Sequence, residues 1–313
     1  MTYRHIFVSA LVFISAPAGL GYAKDYDAPV VLPDRAVVVM TFTRRGSGEG
    51  LGDAAGKGLI FQYRQGITRT QEGYQVHQTL VQTDFPPEIS PATKSMIEQG
   101  AEFSRDIVYD ADEALTPVRI PDWEKRAASM VQTMERLMGP SPQAGTAIAA
   151  MRQRFLGMTP EQGAALLKEQ NLVALAQGLT LDLNQPVSID TQMDNPLGGS
   201  PIKATLTVSL ESWDKSENEA RIHIHQELDP ESLGKSVREM LFTNFGSSKE
   251  AEQGLASIKV NNVLDCRAQI DTSTGLATDT DCVSTVTSMD RNLKARQRTD
   301  QWHIGQALVK GSR

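Results

Sequence analysis

IKVNNVLDCRAQIDTSTGLATDTDCVSTVTSM, residues 258–289, is the stretch from which the fold is read. Ile258, Val260, Leu264, Cys266, Ala268 and Ile270 recur at spacings of two or four, the period of a strand with one buried face. The run Thr272, Ser273, Thr274, Gly275 interrupts them, and a second Thr/Val-rich run follows with Cys282 in it. This is the pattern of a β-hairpin. If residues 271 and 277 face each other across a turn centred on Thr274, Cys266 falls opposite Cys282 on the same face, within disulfide reach. The spacing therefore predicts that the two cysteines of the chain form a Cys266–Cys282 staple. A pair of buried thiols is the alternative, and it requires a reducing compartment.

The other end of the chain bears on the compartment. Arg4 precedes the apolar run Ile6–Ala16, and Gly21, Tyr22, Ala23 set small residues at the positions a signal peptidase reads. That run is too short to span a bilayer, so residues 1–23 read as a secretory signal and the expected location is the periplasm or outside the cell. Residues 24–313 then form a single mature domain with no transmembrane segment. The 313-residue chain carries 31 basic and 38 acidic side chains, and loss of Arg4 moves the net charge from −7 to −8. An acidic surface without aromatic interleaving excludes nucleic acid as a partner class. With 22% charged and 40% hydrophobic residues the composition is that of a folded protein.

Period-two alternation recurs on both sides of a helical stretch. In the β-rich part, residues 24–120, Ala36, Val38, Met40 and Phe42 share one face of a strand. Further strands begin at Leu59 and Tyr74, and another carries Phe103–Tyr109. His77 lies on the polar face of its strand and reads as hydrogen-bonded or solvated. The glycines from Gly46 to Gly58 do not form a phosphate-binding loop, because three residues rather than four separate Gly52 from Gly56 and Lys57. Residues 121–178 are a helical insertion. Trp123, Ala127, Met130, Val131 and Met134 return at helical spacing after Asp122, and Thr159, Pro160 and Gln162 open a later helix. Residues 179–313 are again β-rich, with one long helix after Asp229 that carries Leu233, Val237 and Phe242.

Within that last part Ile202, Ala204, Leu206, Val208 and Leu210 alternate strictly with polar residues. Pairing 213 with 219 sets Glu211 opposite Arg221 and Ser209 opposite His223. His223 and His225 then point the same way, and both imidazoles could reach one metal ion, with a third ligand from His303 or a neighbouring acid. A wet polar face is the plainer reading. Lys294, Arg296 and Arg298 on the last strand could bind an anionic group; the plainer reading is surface charge opposed by acidic rows such as Asp279 and Asp281.

The usual hydrolase signatures are absent: no Gly-x-Ser-x-Gly, no His-Glu-x-x-His and no Cys-x-x-Cys occurs. The expected architecture is α+β, a strongly curved antiparallel sheet or partly open barrel with the helical insertion packed on it. In outline it resembles the periplasmic lipoprotein carriers, which hold acyl chains between a curved antiparallel sheet and covering helices. The resemblance is one of architecture and transfers no residue. The groove such a sheet leaves is expected to hold a hydrophobic small molecule or lipid in a non-enzymatic, cofactor-free binding or envelope-maintenance protein, lined in part by Met130, Met134 and Phe242. A hydrolase using His223 and His225, and a structural or adhesion subunit, are the other two readings.

Overall fold

The computed structural model describes residues 26–48, 56, 58–138, 142–183, 185–193, 199–245, 259–289 and 295–309. The segment read as a secretory signal and most of the Gly46–Gly58 loop lie outside them. The strands are β1 (Tyr26–Asp27), β2 (Arg35–Gly48), β3 (Leu59–Arg69), β4 (Tyr74–Asp84), β5 (Asp106–Ala111), β6 (Pro117–Arg119), β7 (Thr180–Leu181), β8 (Val187–Met193), β9 (Ile202–Asp214), β10 (Glu219–Leu228), β11 (Lys259–Asp271), β12 (Leu276–Met289) and β13 (Ala295–Leu308). The helices are α1 (Pro91–Ala101), α2 (Trp123–Met138), α3 (Pro142–Gly157), α4 (Pro160–Ala164), α5 (Lys168–Ala174) and α6 (Pro230–Phe245).

Eleven strands form one antiparallel sheet in the order β6-β5-β4-β3-β2-β13-β12-β11-β10-β9-β8, and β1 pairs with β7 separately. The large sheet is two meanders, β2 to β6 and β8 to β13, joined where β13 lies against β2. Its edges, β6 and β8, do not pair with each other, so the sheet is open and no barrel closes. The helical insertion connects these two edges. α2 to α5 leave from β6 and return the chain to β8. α4 opens with a capping box between Thr159 and Gln162, and Asp229 Oδ1 accepts from Ser232 N at 2.8 Å to cap α6.

Alternation explains which face the helices cover. Val38, Met40 and Phe42 of β2, Ile222 and Ile224 of β10, and Trp302 and Ile304 of β13 are all buried on one side. They divide into two apolar clusters. One centres on β9 to β13 with Leu172 and Val173 of α5; the other joins β2 to β5 with Trp123 of α2 and Phe155 of α3. The residues leading into β2 close the same face at one end. Tyr26, Ala28, Val30 and Leu32 are buried at alternate positions, Val31 N donates to Thr274 O, and Tyr74 Oη donates to Val30 O. Gly275, at φ 70°, is required there because a Cβ would overlap the Pro29 carbonyl.

The cysteine register holds, by a different route from the one expected. The turn pairs Asp271 with Leu276, and a bulge between Gln269 and Ile270 restores the offset that sets Cys266 opposite Cys282, which are disulfide-bonded. A second bulge, between Arg221 and Ile222, corrects the reading of β9 and β10. Ser209 does oppose His223, but Arg221 opposes Ser212 instead of Glu211. Glu211 instead accepts from Arg267 Nε at 3.3 Å, and Arg221 pairs with Glu219.

Candidate functional site

The two faces of the sheet offer different chemistry. On the open face, β10 presents His223 and His225 from alternate positions, and β11 places Asp265 directly beside His225. Asp265 Oδ2 lies 3.0 Å from His223 Nε2 and 3.3 Å from His225 Nδ1, so one carboxylate joins both imidazoles. Burial raises the Asp265 pKa, but the hydrogen bonds from His223 and His225 outweigh it and hold the carboxyl below its ordinary range. Asp265 is the neighbouring acid that the spacing of the histidines left unidentified. His303 does not join them. It stands three strands away, about 14 Å at ordinary strand spacing, with Nδ1 3.0 Å from Asp281 Oδ1 and 3.8 Å from Asp279 Oδ1. Asp279, Asp281 and His303 offer ligand atoms within 4.8 Å of one another. His77, the remaining described histidine, bonds Asp106 Oδ1 at 2.6 Å, in keeping with its reading as hydrogen-bonded.

On the covered face the polar residues are not where the sequence reading put them. Arg296 and Arg298 share parity with Trp302, so they turn towards the helices and away from Asp279 and Asp281. Arg298 Nε donates to Asp300 Oδ2 at 3.0 Å and Arg44 Nη2 donates to Asp300 Oδ1 at 3.0 Å. Asp300 is buried, which raises its pKa, but the Arg44 charge and the Arg298 hydrogen bond bring it below the ordinary carboxylate range. Alternation carried this information, since Asp300 follows the same period as Trp302 and Ile304. The basic character of the row concealed it.

A second buried polar group separates the two apolar clusters. Gln65 Nε2 and Gln170 Nε2 both donate to Gln78 Oε1, at 2.9 and 2.6 Å, and Gln177 bridges from Ala114 O to Ala277 N. Gln65, Tyr109, Gln170, Gln177 and Gln306 line a cavity of about 10 Å³, room for one water molecule. Gln78 Nε2, Gln170 Oε1 and Gln306 Oε1 are buried without a hydrogen-bond partner among the described residues. Burial pushes the Tyr109 phenol well above its usual pKa, so it stays protonated. Gln65 and Gln78 sit at in-phase positions of otherwise apolar faces, a signal the sequence held but the reading passed over.

The expected lining residues are dispersed. Met130 and Met134 are half-buried against the cluster of Trp123 and Phe155. Phe242 is on α6, and its side chain lies outside the described residues. Leu59, Leu80, Ile97 and Val260 are partly buried against the other cluster, and Val286 is half-buried on the same face.

No protein-family model matches the chain, and no curated protein matches it. A solved structure described as lipid–protein interactions in lipovitellin superposes with a TM-score of 0.41 at 10% identity, over 90% of this chain and 26% of that one. This chain thus spans about a quarter of that protein. At this similarity the match bears on neither ligand nor mechanism.

Proposed function

We propose that this protein is an exported, non-enzymatic binding protein that takes a hydrophobic small molecule or lipid between a curved sheet and its helices. The observation carrying the reading is the state of the apolar residues at the end of the covered face remote from the Tyr26–Leu32 segment. Leu59, Leu80, Val260 and Val286 of the sheet and Ile97 of α1 lie there yet stay only half-buried. An apolar ligand would complete their burial at about 25 cal/mol per Å² of apolar surface removed from water. The Cys266–Cys282 bond supports an oxidising compartment, and no described helix is long and apolar enough to cross a membrane.

Native mass spectrometry of the protein purified from its own envelope, with extraction of the bound fraction, tests this reading. We expect a co-purifying lipid and saturable uptake of a fluorescent fatty acid, reduced at least about fivefold in affinity by Val260→Asp, because the charge would sit where the chain packs. Absence of both binding signals in the unaltered protein overturns it.

One observation favours a second reading, a transition-metal site on the open face: Asp265 supplies a carboxylate already in contact with both His223 and His225. Calorimetric titration should then show zinc binding that His225→Ala removes. Equal heats from both proteins would exclude the site.

A further inference from the structure

We infer that the covered face carries a headgroup site for an anionic amphiphile, formed by Arg44 and Arg298 around Asp300. This deepens the apolar-ligand reading and depends on it. Asp300, with 3% of its side chain exposed, accepts from Arg44 and from both Nε and Nη2 of Arg298. One carboxylate balances one guanidinium. The triad itself therefore bears one positive charge in excess, on the face that otherwise holds the core, where an uncompensated charge is unfavourable. Arg44 keeps 36% of its side chain exposed while Arg298 keeps 11%, so the excess charge is presented towards solvent chiefly by Arg44. Among the described residues Arg44 gives one N–H donor to Asp300, out of the five a guanidinium carries.

The surroundings select the rest of the ligand. Arg44 stands in register with Leu59 on one side and Trp302 on the other, and Arg298 stands opposite Val286. β2 sets Gly46 opposite Asp300 and Gly48 opposite Arg298, so backbone without a side chain flanks the charges. A planar guanidinium fork beside half-buried aliphatic residues matches an ionised carboxylate or phosphate carried on an acyl chain. The head lies against Arg44 and the chain runs over Leu59, Val286 and Val260.

The delipidated full-length chain titrated with cis-parinaric acid and with its methyl ester tests the site, because the two probes share a chain and differ in charge. The acid should bind at least about tenfold tighter at low salt, with the preference shrinking as salt rises. Arg44→Gln should reduce it to under about threefold, and Arg44→Lys, which keeps the charge but not the planar fork, should leave a preference between those of Arg and Gln. Should Arg44→Gln fail to fold, the comparison of acid with ester in the unaltered protein and its salt dependence decide. Equal binding of acid and ester overturns the headgroup site while leaving the apolar-ligand reading standing. A preference untouched by both Arg44→Gln and Arg298→Gln also overturns it. Failure of both probes to bind overturns the apolar-ligand reading, and the headgroup site falls with it.

Discussion

At the residue scale, the informative side chains are polar ones in positions the alternation reserves for the core. Asp300 is the clearest. Its carboxyl is held below the ordinary range against the opposing effect of burial, so the folded protein keeps it ionised where the unfolded chain begins to protonate. A depressed folded pKa contributes stability that is fully present above the unfolded value, about 3.9, and is lost as pH falls through the folded value. Asp300→Asn should therefore lower the melting midpoint most at pH 7, and the difference should shrink as pH falls through the depressed native pKa, below which the carboxyl is protonated in both states and no longer gains from folding. Paired thermal melts across that range check it, and a pH-independent difference would mean the loss is one of packing. The legibility of such residues follows from their physics. His223 and His225 were visible as a pair because period two places them on one face. Their acid partner comes from a strand about 40 residues away, which no local pattern specifies.

At the element scale, the hairpins were legible where the turn is short and the face apolar, and illegible where a bulge intervenes. The β11–β12 pair illustrates both. Its turn and its bulge each move the register by one, in opposite senses, so the predicted Cys266–Cys282 pairing stands although the pairing at the turn differs. In β9–β10 the turn and the bulge offset each other in the same way beyond Ile222, but Arg221 lies on the turn side of the bulge, so it faces Ser212 and Glu211 meets Arg267 instead. Side chains at Cys266 and Cys282 are fully buried between strands already paired along their length. A loop of 16 to 17 residues gives a chain-entropy stabilisation of about 3 kcal/mol, less what the hairpin itself already constrains. The double variant Cys266→Ala, Cys282→Ala should lose roughly 5 °C in melting midpoint under non-reducing conditions. Reduction of the unaltered protein should produce a shift of the same size, and an unmoved midpoint in both experiments would remove the staple from the stability account.

At the scale of the whole molecule, the class was readable and the strand order was not. Alternating runs on either side of a helix-period stretch announce an antiparallel α+β protein, but nothing local to Ala295–Leu308 states that it will lie beside Arg35–Gly48, some 260 residues earlier. That contact decides how the molecule behaves. Without it the chain would be two meanders joined by the helical insertion, and the cluster centred on β9–β13 would lose Met40, Phe42, Phe61 and Tyr63, which the other meander contributes. With it, β13 pairs with β2 over eleven residues, the helices span from one sheet edge to the other, and the Tyr26–Leu32 segment ties Thr274 of one meander to Tyr74 of the other. Coupling of this extent should make residues 24–313 unfold as one cooperative unit, with calorimetric and van't Hoff enthalpies equal. Hydrogen exchange should then grade outward: amides of β13 and β2 open only with global unfolding, while those of the edge strands β6 and β8 open locally at lower cost. Two separable transitions, with β2 to β6 protected under conditions where β8 to β12 have exchanged, would show that the meanders are independent and that the β13–β2 seam is weaker than its register implies.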